Sequence, residues 1–192
     1  MSLNAQGIKY RRLLNPEGLS IMTTNLAVFP WGEKRIEYAL QYEVAPIEDM
    51  HQGYYLNIYL NTNNKSQYIP EGGKLLIRTT KDNVISLTDC GSPFFVEYDS
   101  EYDHTNSERR IYSFYDSALK TTRYSIHGKY PITEDDLKML MEEGVIKIRI
   151  ETTGDMVECS YKVNSDKTNK TAEVITKLYN LLQSQIDPYY GL

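Results

Sequence analysis

Several stretches of this chain alternate apolar and polar side chains at every second residue, and this pattern constrains the fold more than any other feature. The segment Ile36–Val44 carries an apolar side chain at each even-numbered position, and Tyr54–Leu60 repeats the pattern. Successive side chains of a strand point to opposite faces, so a period of two predicts β-strands with one face packed on a core. Similar patterns predict further strands at Ile8–Leu14, Leu19–Thr24, Lys74–Thr80, Val84–Thr88, Phe94–Tyr98, Arg110–Tyr115, Thr122–Ile126, Val145–Glu151 and Met156–Val163.

Short polar turns separate neighbouring strands and indicate how those strands pair. In Asn15-Pro16-Glu17-Gly18, the proline presets the backbone angle of the second turn position and the glycine releases the chain afterwards. Lys81-Asp82-Asn83 and Thr152–Asp155 are two further turns between strands. Strands joined by such short turns pair antiparallel, so we expect hairpins that form one curved sheet or two packed sheets.

Two segments late in the chain predict helices. Thr133 followed by Asp136 resembles a capping box, which starts a helix. Gly144 can end that helix, so a short helix is expected near residues 133–143. A longer amphipathic helix is expected over Lys170–Ile186, because apolar side chains recur there at helical spacing. They are Val174, Ile175, Leu178, Leu182 and Ile186.

The length and charge of the chain narrow the class of protein. Its 192 residues contain no obvious linker, so we expect a single α+β domain over residues 7–192, built mainly from antiparallel hairpins. Acidic residues outnumber basic ones by 26 to 21, which argues against a nucleic-acid-binding protein. No apolar run approaches the ~20 residues of a membrane-spanning helix, so no membrane span is predicted.

The first six residues have more than one interpretation. Met1-Ser2-Leu3 is typical of an expression tag, whereas Leu3-Asn4-Ala5 is typical of the end of a signal peptide cut near Ala5 or Gln6. An ordinary cytosolic start is the third alternative. We interpret residues 1–6 as a tag or a signal-peptide remnant, and we expect an exported protein.

The two cysteines, Cys90 and Cys159, have the spacing of neither a zinc site nor a redox motif. Strand alternation turns Cys159 inward, on the same face as Val157 and Tyr161. In an oxidising compartment the two thiols would form a disulfide that stabilises the fold. In the alternative, both thiols stay reduced and Cys159 is an ordinary core residue.

Motifs that carry catalysis or hold a cofactor are missing from the sequence. It contains no glycine-rich phosphate loop, no G-x-S-x-G elbow and no H-E-x-x-H pair. The three histidines, His51, His104 and His127, lack the spacing of metal ligands. We therefore predict no cofactor, and we expect a non-catalytic protein rather than an enzyme.

The densest polar segment of the chain is the acidic run EYDSEYDH. On an extended strand Glu97, Asp99, Glu101 and Asp103 would point the same way, and a cation such as calcium would relieve their repulsion. The spacing departs from an EF-hand loop, because glycine and glutamate are missing from its sixth and twelfth positions. The alternatives are a solvated acidic loop and the carboxylate pair of a glycosidase.

Aromatic side chains offer the remaining candidates for binding. Trp31 would either expose a platform for a sugar ring or plug the end of the core. The chain has 17 tyrosines but 4 phenylalanines, and the tyrosine-rich strand at 54–59 would either line a groove or pack on its neighbours. The candidate ligand-binding residues are therefore Trp31, Asp99, Glu101 and Asp103.

Two stretches of the chain carry a resemblance to known proteins. GGKLLIRTTKDNVISL and YPITEDDLKMLMEEGVIKIRIET, followed by the amphipathic terminal helix, resemble uncharacterised exported proteins of Bacteroidetes. The resemblance covers about half the chain and implies an extracytoplasmic location, periplasmic or secreted. It implies no activity and no functional residue.

Together these observations favour a non-catalytic exported protein of the cell envelope that binds a protein or glycan partner. The alternative is an extracytoplasmic hydrolase that acts on glycans through aspartate or glutamate. The two hypotheses differ in one feature, because a glycosidase needs two carboxylates that face each other across a groove.

Overall fold

Two antiparallel β-sheets and two α-helices make up the described part of the chain, which confirms the predicted α+β fold. The computed structural model describes residues 8–13, 20–29, 36–44, 53–62, 64–91, 94–99, 122–161 and 166–186. The strands are β1 (Ile8–Leu13), β2 (Ser20–Thr24), β3 (Ala27–Val28), β4 (Ile36–Val44), β5 (Gly53–Thr62), β6 (Lys74–Thr79), β7 (Val84–Thr88), β8 (Phe94–Asp99), β9 (Thr122–Ile132), β10 (Val145–Ile150) and β11 (Val157–Ser160). The helices are α1 (Glu134–Glu143) and α2 (Asp166–Ile186).

The larger sheet has the strand order β1-β2-β4-β5-β9-β8, with β3 paired to β4, and the smaller sheet has the order β11-β10-β6-β7. Each predicted hairpin within the described residues is present, since β1 pairs with β2, β6 with β7 and β10 with β11. Helix α1 lies between β9 of the larger sheet and β10 of the smaller one. The predicted turn at Asn15–Gly18 and the predicted strand Arg110–Tyr115 lie outside the described residues.

Both sheets and both helices contribute to one continuous hydrophobic core. Alternation decides which side chains enter it, because β6 and β7 bury every second residue and leave the others exposed or partly exposed. Strand β5 is buried on both faces from Tyr54 to Ile58. Fully buried core residues include Ile58, Ile77, Leu137, Ile148 and Leu182.

Helix α1 begins and ends where the sequence predicts. The Thr133 hydroxyl accepts a hydrogen bond from the backbone N–H of Asp136 at 3.1 Å, which caps the first turn. Gly144 ends the helix with a φ of 70°, a conformation that favours glycine. A Cβ atom at this position would lie 2.6 Å from the carbonyl oxygen of Thr168, so α2 approaches closely here.

Helix α2 begins at Asp166, four residues before the predicted start at Lys170. Its first turns carry buried threonines, and the Thr171 hydroxyl accepts from the N–H of Val145 and donates to the carbonyl of Thr168. The apolar stripe from which α2 was predicted gives no sign of these polar contacts, so the predicted helix begins too late. Among the described residues, no helix has both the length and the apolar character needed to cross a bilayer.

Two buried tyrosines carry hydroxyls that find no hydrogen-bond partner in the described part of the structure. Tyr38 stacks on Phe29 with ring centroids 4.0 Å apart, and Tyr130 packs against Gly128. Both side chains are buried, and their oxygen atoms accept and donate no hydrogen bond. Burial without a partner costs free energy, and burial also raises the pKa of both tyrosines.

We expect Tyr38→Phe to raise the free energy of unfolding by about 1 kcal/mol, because it removes an unpaired buried hydroxyl and keeps the ring. Urea denaturation measures the change. The control is Tyr179→Phe, since the Tyr179 hydroxyl donates to Glu134 at 2.7 Å and its loss should destabilise the protein. Equal destabilisation by both substitutions would contradict the assignment.

Glu143, the last residue of α1, ties the helix to the turn between β6 and β7. Its carboxylate accepts hydrogen bonds from the Thr79 hydroxyl at 2.5 Å and from the Asn83 side-chain amide at 3.0 Å. The Lys81 ammonium lies 3.6 Å away. These contacts, the Thr79 hydrogen bond above all, hold the pKa of Glu143 below its ordinary value.

A carboxylate with a lowered pKa stabilises the fold above its unfolded-state pKa, and this contribution disappears as the pH falls through the folded-state pKa. We therefore expect Glu143→Gln to lower the free energy of unfolding at pH 7. The deficit should shrink as the pH falls from about 5 towards 3. Glu142→Gln, at the exposed neighbouring position, is the control. A deficit that is the same at both ends of this range would disprove the role of Glu143.

Candidate functional site

The candidate site is an open groove of about 780 Å³ where β7 of the smaller sheet approaches β9 of the larger one. Residues of β4, β5, β7, β9 and the start of α1 line it, and we call it the tyrosine groove. It combines aromatic rings, hydroxyls, apolar side chains and two carboxylates. Its lining includes Tyr42, Tyr54, Tyr55, Ser86, Leu87, Thr88, Pro131, Ile132, Thr133, Glu134 and Asp136.

The aromatic wall of the groove is built by residues on neighbouring strands. Tyr42 and Tyr54 are directly opposite each other on β4 and β5, with ring centroids 4.7 Å apart. Tyr54 also packs against Tyr179 of α2, and its hydroxyl accepts a hydrogen bond from the Gln183 side chain. Because these contacts come from both sheet and helix, the wall is held in place before any ligand binds.

The two carboxylates of the groove lie on the first turn of α1 and are already hydrogen-bonded. Glu134 accepts from the Tyr179 hydroxyl at 2.7 Å and pairs with Lys138 at 3.3 Å. The Tyr179 hydrogen bond above all lowers the pKa of Glu134. Asp136 accepts from the Thr133 hydroxyl at 2.7 Å. A glycosidase acid needs a raised pKa, so Glu134 is suited to binding rather than to protonating a leaving group.

Tyr55 connects the groove to a partly buried ion pair on the opposite face of β5. Lys129 lies 2.6 Å from the carboxylate of Glu43, whose residue is 6% exposed. The Lys129 ammonium also sits 4.2 Å from the centre of the Tyr55 ring, where the ring attracts a cation. The ion pair therefore positions one of the three tyrosines that line the groove.

A series of hydrogen bonds connects this ion pair to His127, and the donor and the acceptor of each bond are fixed by Glu43. Glu43 can only accept, so it takes the Gln41 amide N–H at 2.5 Å and leaves the Gln41 oxygen to accept from Asn57 at 2.8 Å. The Asn57 oxygen then faces His127 Nε2 at 3.1 Å, so Nε2 carries the proton. Burial, and next the charge of Lys129, lower the pKa of His127 and favour the neutral ring.

The described residues that line this groove include none of the predicted site residues. Trp31, Glu101 and Asp103 lie outside the described residues, as do His51 and His104. Asp99 ends β8, where its backbone pairs with Thr122. Within the described ranges, no group of three or more histidine, cysteine, aspartate or glutamate side chains could hold a metal ion.

Both cysteines are free thiols in the structure. Cys90 is exposed, and its sulfur lies 3.3 Å from the carbonyl oxygen of Lys129. Cys159 is buried, as strand alternation predicts, and its sulfur lies 3.3 Å from the Tyr161 hydroxyl.

Sequence reasoning missed most of the groove. It identified the tyrosine-rich strand that contains Tyr54 and Tyr55, but it interpreted Tyr42 as a core-facing strand residue. It interpreted Asp136 as a residue that stabilises a helix start, which it also does. One sequence signal could have revealed the groove. A helix begins with acidic residues directly after a strand, and that strand pairs with the tyrosine-rich strand.

We expect Lys129→Met to lower the free energy of unfolding by about 3 kcal/mol, because it leaves the Glu43 carboxylate buried without its counter-ion. Adding Glu43→Gln should recover part of this loss. The matched control is Lys138→Met in the exposed pair with Glu134, which should cost less than about 1 kcal/mol. Urea denaturation of the four proteins tests this, and equal losses for both lysine variants would contradict it.

Comparisons place the chain beside no known protein. Searches of protein families, curated proteins and solved structures found no match to it. The binding chemistry is therefore proposed from the geometry of the groove and of the residues that support it.

Proposed function

We propose that this protein is a non-catalytic binding protein of the cell envelope whose partner occupies the tyrosine groove. The observation that carries the proposal is an aromatic wall facing carboxylates that hydrogen bonds hold in place. Tyr42 and Tyr54 are fixed by ring contacts, and Glu134 is fixed by Tyr179 and Lys138. A preformed surface of this kind loses little conformational entropy on binding.

The lining of the groove restricts the chemistry of the partner. Its charged lining residues among those described are Glu134 and Asp136, so an acidic partner would be repelled. Tyrosine rings pack against sugar rings or aliphatic side chains, and the hydroxyls of Ser86 and Thr88 offer hydrogen bonds. A neutral or basic glycan or polypeptide fits these requirements.

The proposed location in the cell envelope rests on the resemblance to exported Bacteroidetes proteins. Fractionation of cells that express the natural chain would test the location independently of binding. Recovery in the cytosolic fraction would reject it without affecting the groove.

Glycan hydrolysis is the less favoured function for this groove. A glycosidase requires a general acid with a raised pKa opposite a second carboxylate. Hydrogen bonding lowers the pKa of Glu134, and Asp136 is engaged with Thr133 in the helix cap. Both carboxylates also come from one turn of one helix rather than from opposite walls.

We expect Tyr42→Leu to weaken binding of a neutral oligosaccharide or a basic peptide by about tenfold, because it removes the ring and keeps apolar bulk. Titration calorimetry with ligands found by a thermal-shift screen measures the affinity. The control is Tyr68→Leu, a half-buried tyrosine that does not line the groove.

Two results would count against the proposal. Unchanged affinity in Tyr42→Leu would place the binding site elsewhere. Turnover of a glycan that is lost in Glu134→Gln would instead favour the hydrolase.

A further inference from the structure

The pairing of β6 with β7 determines which backbone groups of β7 remain free. The N–H of Thr79 donates to the carbonyl of Asn83 at 2.9 Å, and the N–H of Asp89 donates to the carbonyl of Gly73 at 2.9 Å. In an antiparallel ladder every second pair exchanges hydrogen bonds, and these two pairs fix the phase. Ile85 therefore bonds with β6, as does Leu87.

The alternate residues of β7, which are Val84, Ser86 and Thr88, consequently direct their backbone N–H and C=O groups away from β6. Among the described residues β7 is an end strand of the smaller sheet and pairs with β6 alone. No backbone hydrogen bond from Ser86 or Thr88 to another segment is found there. Ser86 and Thr88 also line the tyrosine groove, so these free groups face it.

In the part of the chain that the structure describes, this edge lacks the features that usually protect an end strand. Proteins block such edges with charged residues, proline or a covering segment, because free backbone groups can pair with another chain. The β7 sequence VISLT contains no charge and no proline, and Val84 is 60% exposed. The opposite end strand, β11, carries Glu158 in ion pairs with Lys147 and Arg149.

We propose that the partner in the tyrosine groove is an extended polypeptide segment that pairs with β7 as an additional strand of the smaller sheet. This inference rests on the proposed function, because it assigns a partner class to the same groove. Backbone groups that recur at every second residue match a peptide strand. A glycan offers no such regular series of amide donors and acceptors.

The groove also restricts the side chains of that segment. Alternate side chains of an added strand point to opposite faces, so one set would contact Leu87, Pro131 and Ile132. Glu134 and Asp136 favour basic residues and disfavour acidic ones. The segment should therefore combine apolar residues with lysine or arginine over about five positions, the length of β7.

The first test uses the unaltered protein and a hexapeptide that alternates valine and lysine, with acetylated and amidated ends. We expect the amide resonances of Ser86 and Thr88 to shift in a saturable way and to gain protection from hydrogen exchange. Two further peptides carry N-methyl groups on alternate amides, one in each phase. Only the peptide whose methylated amides would face β7 should bind more weakly, by about tenfold or more.

The second test places proline on the free edge. Ser86→Pro removes an N–H that β6 does not use, and edge strands tolerate proline at such positions. The matched control is Ser160→Pro on β11, because Tyr161 donates to Ile146 and the ladder therefore turns Ser160 outward too. We expect Ser86→Pro to weaken peptide binding by about tenfold or more and Ser160→Pro to leave it unchanged.

Three outcomes would overturn the inference. Both N-methylated peptides could bind as well as the parent peptide, which would exclude strand pairing. Light scattering could show that the protein alone forms a dimer and that Ser86→Pro abolishes it. A second copy of the chain would then be the occupant of the groove. Peptides could fail to bind while an oligosaccharide binds and Tyr42→Leu weakens it, which would retain the proposed function and reject the peptide.

Discussion

The shared hydrophobic core of the two sheets is the constraint on which the rest of the molecule depends. Ile58 of the larger sheet and Ile77 and Ile148 of the smaller one belong to the same buried cluster, together with Leu137 and Leu182 of the helices. Burial of such side chains is the main favourable term in folding. Because β7 and β9 come from different sheets, they approach each other without pairing, and the tyrosine groove opens beside them.

The polar groups around the core contribute mainly by holding neighbouring side chains in place. The Glu43–Lys129 pair lies on the side of β5 that faces away from the core, and it holds Tyr55 at the groove. The carboxylate of Glu43 also orders the amides of Gln41 and Asn57, because it can only accept hydrogen bonds. A buried polar network of this kind favours one register of the strands over its alternatives.

The sequence predicts the local elements well, because their signals lie within a few residues. Alternation identifies β6 and β7. Thr133 marks the start of α1, because its side chain accepts a hydrogen bond from the N–H of Asp136, only three residues later. It misses the start of α2, where the buried Thr168 and Thr171 replace an apolar stripe. It also misses the groove, because Tyr54, Ser86 and Glu134 are brought together only by the packing of the two sheets against each other, which no short pattern encodes.

The direct connection through α1 has a consequence for how this fold can vary. Strand β9 ends at Ile132, α1 covers ten residues, and β10 begins at Val145 immediately after Gly144. Each helical residue adds about 1.5 Å and a rotation of about 100°. An insertion of one residue in α1 would thus rotate the start of β10 by about 100° around the helix axis relative to the end of β9.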